Sequence, residues 1–384
     1  MRILMINSVC GIRSTGRICT DLAESLEALG HECKIAFGRE SVPPKHAVRA
    51  IRIGSSLSVK LHGLKARLWD ASGFGSGRAT EKFIRWVKAY DPDIIHLHNL
   101  HGYYLHLRPL FDYLKASKKP VVWTLHDCWA FTGHCCNLIG CDKWKEGCYN
   151  CHKHAAYPKS IVDRSKHNFQ VKKKMFTSLE NATVVTPSLW LADLVRQSFL
   201  EKFPVEIINN GIDTSIFKPT SGDFRQRHAL ENKKIILGVA SAWSRSKGLY
   251  DFIRLAEMID DSYKIVLVGL TEKQKAELPP KILGITRTNN TAELAEIYTA
   301  ADVFLNLTYN DNYPTVNLEA QACGTPVITY NTGGSPESVP KENVVAQGDL
   351  NAVKARLDGA QIAHADFSKA KMLDQYIALY QKNT

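Results

Sequence analysis

Short apolar runs alternate with apolar residues at helical spacing along most of this chain. The runs that predict buried strands lie at residues 2–9, 33–37, 91–97, 120–125, 182–186, 234–239, 264–268, 303–307 and 326–330. Helical patterns occupy many of the intervals between them, for example at residues 18–29 and 249–259. Because strand and helix alternate, the sheets should be parallel, with helices on both faces. The pattern therefore predicts an α/β protein built from doubly wound sheets.

The chain is long enough for two domains. A single domain usually holds about 100 to 200 residues, and 45% of these 384 residues are apolar. A tight turn at Asn210-Gly211 separates two series of strands and helices. We therefore predict one domain over residues 1–205 and a second over residues 206–366, followed by a last helix within 367–384.

Charge is distributed unevenly along the sequence. Residues 1–200 hold 29 Lys and Arg against 16 Asp and Glu, whereas the remainder holds 20 against 22. A basic half favours phosphate-rich partners, either an anionic membrane surface or nucleic acid. Because no zinc-finger spacing or other nucleic-acid motif accompanies it, nucleic acid is the weaker interpretation. With no signal peptide and no long apolar run, we expect a cytoplasmic protein, peripheral on the inner face of the cell membrane.

A basic amphipathic helix is predicted within residues 55–77. Apolar residues recur there at helical spacing beside Lys60, Lys65 and Arg67. Two interpretations stay open: the apolar face packs on the sheet while the lysines are solvated, or it lies against anionic lipid. The three lysines at 172–174 would add to the same basic surface.

The polar chemistry of the second domain gathers in residues 302–337. Asp311 lies in the loop after a predicted strand, and Glu319 follows inside a short helix whose free N–H groups favour an anion. Gly333 and Gly334 come directly after the next strand, where they let backbone pass close to a ligand. Such a site could grip the adjacent hydroxyls of a ribose. The alternative is an ordinary βαβ piece with an acidic residue and a turn.

The run DNYPTVNLEAQACGTPVI, continued by NTGGSPE, resembles the donor-site motif of retaining family-four glycosyltransferases with the GT-B fold. In that family two glutamates flank a seven-residue interval, and here Asp311 stands first and Glu319 second. The resemblance implies that Glu319 holds the nucleotide ribose, while Asp311 and the backbone of Asn312 approach the donor sugar. It also implies two Rossmann-like domains facing across a cleft, the first for the acceptor and the second for the nucleotide sugar. The last helix would cross back to the first domain.

The loop SAWSRSKGLY carries Arg245 and Lys247 between a predicted strand and a helix. Two cations beside a helix N-terminus suit a pyrophosphate. Lys247 and Gly248 match the family motif, whereas Ala242 stands where its arginine is expected, so Arg245 would substitute for it. The alternative is that both charges are simply solvated.

Two loops of the first domain also resemble features of this family. The loop GIRSTGR is not the dinucleotide fingerprint GxGxxG, but it resembles the flexible glycine loop that lies against acceptor and donor phosphate, with Gly16 and Arg17 in those roles. Arg13 makes it an anion loop on chemistry alone. His126, at a strand end, matches the strand-end histidine that approaches the donor sugar, and we predict that the adjacent Asp127 binds substrate. Without the resemblance it would be an ordinary loop histidine.

Six cysteines fall within 24 residues after that strand. In a reducing compartment Cys135, Cys141, Cys148 and Cys151 could form a tetrahedral thiolate site for a structural zinc, with Cys136 as the alternative to Cys135. Otherwise the thiols pack as small hydrophobes or have a redox role.

We therefore predict a retaining, nucleotide-sugar-dependent hexosyltransferase of bacterial surface polysaccharide synthesis, whether O-antigen, capsule or exopolysaccharide. Its catalytic residues would be His126, Arg245, Lys247 and Glu319. Its partners would be a nucleoside diphosphate sugar, a polyprenyl-linked saccharide and the anionic membrane surface. Because cationic side chains and helix N-termini can neutralise the leaving group, no metal is needed for catalysis. Two alternatives remain: a GT-B sugar-nucleotide epimerase, and a non-catalytic, metal-stapled module that binds lipid or nucleic acid.

Overall fold

The protein divides into two compact units, seen in a computed structural model that describes residues 1–138, 140–363 and 365–383. Unit 1 comprises Met1–Ile208 and the chain from Leu373 onward, and unit 2 comprises Asn209–Met372. Each unit is an α/β structure built on a parallel sheet. The predicted fold class is therefore confirmed. In the ranges described, no helix combines the length and the apolar character needed to span a membrane.

The sheet of unit 1 contains seven parallel strands within the described residues. They are β1 Arg2–Ile6, β2 Glu32–Phe37, β3 Ala50–Arg52, β4 Ile94–Leu97, β5 Val121–Thr124, β6 Ala182–Thr186 and β7 Val205–Ile207, paired in the order β3-β2-β1-β4-β5-β6-β7. The helices are α1 Arg13–Ala28, α2 Ser56–Trp69, α3 Gly77–Tyr90, α4 Leu107–Ser117, α5 Ser165–Phe176 and α6 Leu189–Arg196. The central strands are buried because helices cover both faces of the sheet.

Unit 2 repeats this architecture with different residues. Its helices and strands are α7 Phe224–Arg227, β8 Lys234–Val239, α8 Leu249–Met258, β9 Tyr263–Val268, α9 Glu272–Ala276, β10 Ile282–Ile285, α10 Thr291–Ala300, β11 Val303–Asn306, α11 Thr315–Ala322, β12 Val327–Tyr330, β13 Val344–Val345 and α12 Leu350–Arg356. Its strands pair in parallel in the order β10-β9-β8-β11-β12-β13. This order makes β8, β11 and β12 neighbours, so the loops that follow them share one edge.

In the last helix, α13 Lys369–Asn383, the residues up to Met372 belong to unit 2 and those from Leu373 onward belong to unit 1. The Tyr380 hydroxyl lies 2.5 Å from His96 Nδ1, and the Tyr376 hydroxyl lies 2.9 Å from Thr124 Oγ1. Both tyrosines are buried. Because each buried hydroxyl meets a polar partner on β4 or β5, the helix is seated without an unpaired polar group at these positions.

Helix α2 presents three of its leucines outward. Leu57, Leu61 and Leu64 are 65%, 58% and 54% exposed, whereas the buried side chains of this helix are His62 and Ala66. The interpretation in which the leucine row covers the sheet is therefore wrong. The helix packs through His62, Ala66 and the partly buried Val59, and leaves these three leucines on the surface.

Candidate functional site

The predicted donor residues of unit 2 lie in three adjacent loops. Lys247 ends a short 3-10 turn between β8 and α8, Asp311 follows β11, and Gly333 follows β12. Since the carboxyl ends of parallel strands meet at one edge of a sheet, these loops converge. Helix α8 begins at Leu249, with Gly248 as its N-cap directly after the lysine, so its first N–H groups lie at the same edge.

Lys247 and Asp311 form the central contact of this edge. Lys247 Nζ donates to Asp311 Oδ2 over 2.7 Å, and both side chains are partly exposed. The backbone of the two loops is joined as well, because Tyr309 N donates to the carbonyl of Ser246 over 2.8 Å. Thr308 Oγ1 donates to the same carbonyl over 3.3 Å. The lysine and the aspartate are therefore held together by both side chains and main chain.

Two glycines allow the loops to approach this closely. A Cβ on Gly333, which has φ +58°, would lie 2.0 Å from the carbonyl oxygen of Asp311. Gly334 N donates to that same oxygen over 3.2 Å. A Cβ on Gly248, with φ +77°, would lie 2.2 Å from the carbonyl oxygen of Leu307. Because any larger residue would push these loops apart, the glycines are required for the close packing of one loop on the next.

Glu319 sits on α11 and is half-buried. The buried Tyr298 hydroxyl donates to its Oε2 over 3.0 Å. Burial, together with the adjacent Glu319 carboxylate, raises the pKa of Tyr298 well above its usual value, so the phenol stays a donor. Tyr298 thus fixes the Glu319 carboxylate at this edge of the unit. Asn312 is half-buried and lies in the loop just before α11.

Asp251 is a residue of this edge that the sequence analysis missed. It lies buried in the first turn of α8 and accepts hydrogen bonds from the hydroxyls of Tyr309, over 2.7 Å, and Tyr330, over 2.9 Å. These bonds tie the loop after β11 to α8. The sequence signal that could have identified Asp251 was an acidic residue three positions after the Lys-Gly pair.

Arg245, in contrast, is exposed at the start of the 3-10 turn.

His126 lies at the end of β5 in a group of histidines. Its Nε2 is 3.0 Å from Nδ1 of His98, and the two rings stack. Burial lowers the pKa of His126 to about 4, so the imidazole is neutral at physiological pH. The His98 ring also packs at a tilt against His96, with ring centroids 4.0 Å apart, and His96 contacts α13. His126, the histidine predicted to approach the sugar, therefore packs against a series of buried imidazole and aromatic rings.

Asp127 pairs with His101 rather than with His126. Asp127 Oδ2 lies 2.7 Å from His101 Nε2, and its Oδ1 accepts from Trp129 N over 2.9 Å. Burial raises the pKa of Asp127, but the charge and hydrogen bond of His101 outweigh it and bring the pKa below its usual value. A small cavity beyond β4 and β5 is lined by His98, His101, His126 and Asp127 among others.

The loop after β1 differs from the prediction. Helix α1 begins at Arg13, so Gly16 and Arg17 lie in its first turns and not in a flexible loop. A Cβ at Gly16 would lie 3.1 Å from the side chain of Val9, so a larger residue would fit only if that side chain shifted slightly. Arg13 also has an ion-pair partner already, since it contacts Glu40 over 2.8 Å. The Arg13–Glu40 ion pair offsets the charge of Arg13 but not that of Arg17.

The four cysteines of the predicted zinc site lie in the segment after β5. Cys135 and Cys148 are buried, Cys141 and Cys151 are half-buried, and Cys148 Sγ accepts from Gly133 N over 3.2 Å. Burial raises the pKa of Cys135 to about 11 and of Cys148 to about 12. Across the described residues, the group of possible ligands whose atoms all lie within 4.8 Å of one another is a different one, His101, Asp127 and Cys136. The four-thiol site stays a prediction.

Comparison with protein families decides the class of the protein. Residues 15–216 match the family described as Glycosyltransferase Family 4, and residues 221–360 match Glycosyl transferases group 1. The chain belongs to glycosyltransferase family 4. This family 4 protein is therefore a glycosyltransferase, as predicted from the donor-site motif.

Relatives cover almost the whole length of this glycosyltransferase. A protein of Escherichia coli (strain K12), provisionally named as the colanic acid biosynthesis glycosyl transferase WcaC, is 25% identical over 90% of this chain and 89% of its own. Among solved structures, sucrose-phosphate synthase (tll1590) from Thermosynechococcus elongatus has a TM-score of 0.72 at 19% identity, covering 99% of this chain and 98% of its own. Anabaena Alr3699/HepE in complex with UDP has a TM-score of 0.67 at 16% identity, covering all of both chains. These similarities confirm the predicted GT-B fold class.

Proposed function

We propose that this glycosyltransferase moves a sugar from a nucleoside diphosphate sugar, with retention of configuration, to a lipid-linked saccharide during bacterial surface polysaccharide synthesis. The observation that carries the proposal is the pairing of Lys247 with Asp311 at the N-terminus of α8. It joins a cation suited to a phosphate with an acid suited to sugar hydroxyls in one small site. That UDP is bound to Anabaena Alr3699/HepE supports a nucleotide donor.

In this proposal the residues of unit 2 divide the donor between them. Lys247, Arg245 and the first N–H groups of α8 neutralise the pyrophosphate as it leaves, so the chemistry needs no divalent metal. Glu319, oriented by Tyr298, accepts hydrogen bonds from the ribose hydroxyls. Asp311, with the backbone of Asn312, contacts the sugar. The attack takes place on the face from which the diphosphate leaves, without a nucleophile from the protein.

The acceptor is proposed from the relatives and from the charge of unit 1. The provisional name of the E. coli relative concerns colanic acid synthesis, which supports a polysaccharide pathway. A growing bacterial polysaccharide is carried on a polyprenyl diphosphate, whose phosphates suit a basic domain. Arg17 and the cavity beside His126 are the acceptor-side features in this proposal.

The exposed row of α2 is proposed to hold the enzyme at the cytoplasmic face of an anionic membrane. Leu57, Leu61 and Leu64 form the apolar part, and Lys60 and Arg67 flank it. The apolar surface continues beyond the helix, because Ile161, itself 65% exposed, donates its N–H to the carbonyl of Arg67 over 2.7 Å. A helix with exposed leucines and basic neighbours is typical of an interfacial anchor.

The lysines at 172–174 do not act together in this surface, contrary to the prediction. Lys172 is 1% exposed, and its Nζ donates to the carbonyl of Trp129 over 2.5 Å. Burial lowers its pKa to about 8. Lys173 and Lys174 are exposed and remain available to an anionic surface.

The test is transfer by purified protein with a panel of UDP-, GDP- and dTDP-sugars, with and without a polyprenyl-diphosphate saccharide. Transfer of sugar to the lipid acceptor is expected, with the anomeric configuration retained and no requirement for an added divalent metal. Conversion of a sugar nucleotide to its epimer without acceptor would replace this proposal by the epimerase alternative. Binding of lipid without any turnover of nucleotide sugar would favour the non-catalytic module.

A further inference from the structure

Three potential metal ligands come together at the carboxyl ends of β4 and β5. His101 lies in the loop after β4, Asp127 follows β5, and Cys136 comes nine residues later in the same loop. Their ligand atoms all lie within 4.8 Å of one another. The backbone also brings the thiol to this place, because Cys128 N donates to the carbonyl of Cys136 over 3.0 Å. The three residues therefore come from two loops, and a backbone hydrogen bond within the second loop brings Cys136 back to its start.

Hydrogen bonds on their other atoms orient His101 and Asp127 toward each other. His101 Nδ1 lies 3.3 Å from the Tyr157 hydroxyl, so its Nε2 is the nitrogen that faces Asp127. Asp127 Oδ1 accepts from Trp129 N, which leaves Oδ2 toward the histidine. Metal-binding histidines and carboxylates are commonly oriented in this way by hydrogen bonds on their other atoms.

The surroundings offer room for a further ligand. The small cavity beside His101 and Asp127 is also lined by His98, which is 2% exposed. Within the described residues, Nε2 of His98 is buried and has no hydrogen-bond partner. A water that completes a metal's coordination in this cavity would be a polar neighbour of that nitrogen.

We propose that His101, Asp127 and Cys136 bind one divalent transition metal, with zinc the best match to this ligand set. Imidazole nitrogen, carboxylate oxygen and thiolate sulfur are the three donor types that zinc accepts, and three protein ligands with a water are a common arrangement. The site differs from the four-thiol cluster predicted above, with which it shares only Cys136, the alternative to Cys135 in that cluster. It does not depend on the proposed substrates. Its role is to fasten the loop after β4 to the loop after β5, which carries His126.

Titration with zinc and cobalt tests the proposal on the full chain. Metal-free protein should bind Co²⁺ with a charge-transfer absorption that disappears in Cys136→Ala. Removal of a ligand should weaken zinc binding by more than about a hundredfold, which exceeds the usual loss for an orienting neighbour. Cys128→Ala, at a buried thiol outside the group, is the matched control and should bind as wild type does. The thermal midpoint of wild type, but not of Cys136→Ala, should rise as zinc is added.

Two further control experiments address folding and the four-thiol cluster. Metal-free wild type and Cys136→Ala should unfold at similar temperatures, because the variant loses only the metal. If zinc binding persists in Asp127→Asn and Cys136→Ala but is lost in Cys148→Ser, the metal belongs to the four thiols and the proposal is wrong. Failure of the wild type to bind either metal would also overturn it.

Discussion

Lys247 Nζ lies 2.7 Å from Oδ2 of Asp311, which joins the loop after β8 to the loop after β11. Asp311 stands where the family motif usually has a glutamate. Its shorter side chain nevertheless reaches the lysine, because Gly333 and Gly334 let the third loop pack directly on the backbone of Asp311. The pair holds the ammonium group in place before a donor binds, so less side-chain entropy should be lost on binding.

Lys247→Ala should nearly abolish sugar transfer. Loss of a cation that stabilises the departing diphosphate should cost roughly a hundred- to thousandfold in kcat, by analogy with a lost oxyanion donor. Lys234→Ala is the control, since this lysine pairs with Asp358 elsewhere in unit 2. Initial rates at saturating donor measure the effect. A variant that kept a tenth of the wild-type rate would contradict the proposed role.

Glu319→Ala should weaken binding of the nucleoside diphosphate itself. The carboxylate is proposed to hold the ribose, and calorimetric titration with UDP and GDP measures this directly. Tyr298→Phe should have a smaller effect on binding and should lower stability by about 1 kcal/mol, since it removes one hydrogen bond. Equal UDP affinity in Glu319→Ala and wild type would move the ribose contact elsewhere.

His126→Ala should reduce turnover while leaving nucleotide affinity intact. In the proposal this histidine approaches the sugar, whereas the nucleotide contacts come from unit 2. The expected result is a lower kcat with an unchanged Kd for the free nucleoside diphosphate. His167→Ala, at an exposed histidine of the same unit, is the control. A large loss of nucleotide affinity in His126→Ala would argue against this role.

Helix α2 should control binding to anionic vesicles. Each basic residue near such a surface contributes about 1 kcal/mol, so Lys60→Gln with Arg67→Gln should weaken binding about thirtyfold. The matched control is Lys273→Gln with Lys275→Gln, a pair of exposed lysines on α9. Co-sedimentation with phosphatidylglycerol vesicles, at low and high salt, is the measurement. Equal binding to neutral and anionic vesicles would rule the surface out.

Acid should destabilise unit 1 between about pH 6.5 and pH 4. Burial lowers the pKa of His62 to about 4, and its Nε2 accepts a hydrogen bond from Gly75 N, so it folds as the neutral imidazole. The unfolded chain takes up a proton near pH 6.5. The stability is therefore present above that pH and is lost as pH falls toward 4, by roughly 3 kcal/mol.

Denaturant unfolding at several pH values measures this loss. His62→Gln should be less stable at neutral pH but should show a shallower fall between pH 6.5 and 4. His167→Gln should keep the wild-type slope because that histidine is exposed. A His62→Gln profile parallel to wild type would show that other groups carry the acid sensitivity.

The alternation of strand and helix, and the position of most strands, was determined by the sequence alone. Apolar runs are local, so β6 and β8 were predicted with the bounds that the structure has, and the other predicted strands differ from the structure by a few residues at their ends. The short strands β3, β7, β10 and β13 were not predicted. The family, too, was evident from contiguous residues around Asp311 and Glu319. Both conclusions depend on neighbours in the chain, which a sequence displays directly.

Tertiary structure decided which side chains meet and which faces are covered. Lys247 and Asp311 are 64 residues apart, and only the order of β8 and β11 brings them together. Whether the leucines of α2 are buried, or Lys172 exposed, depends on what packs against each helix, which periodicity does not reveal. For the same reason the sequence favoured four cysteines close in the chain, whereas the structure groups Cys136 with His101 and Asp127 from two different strand ends.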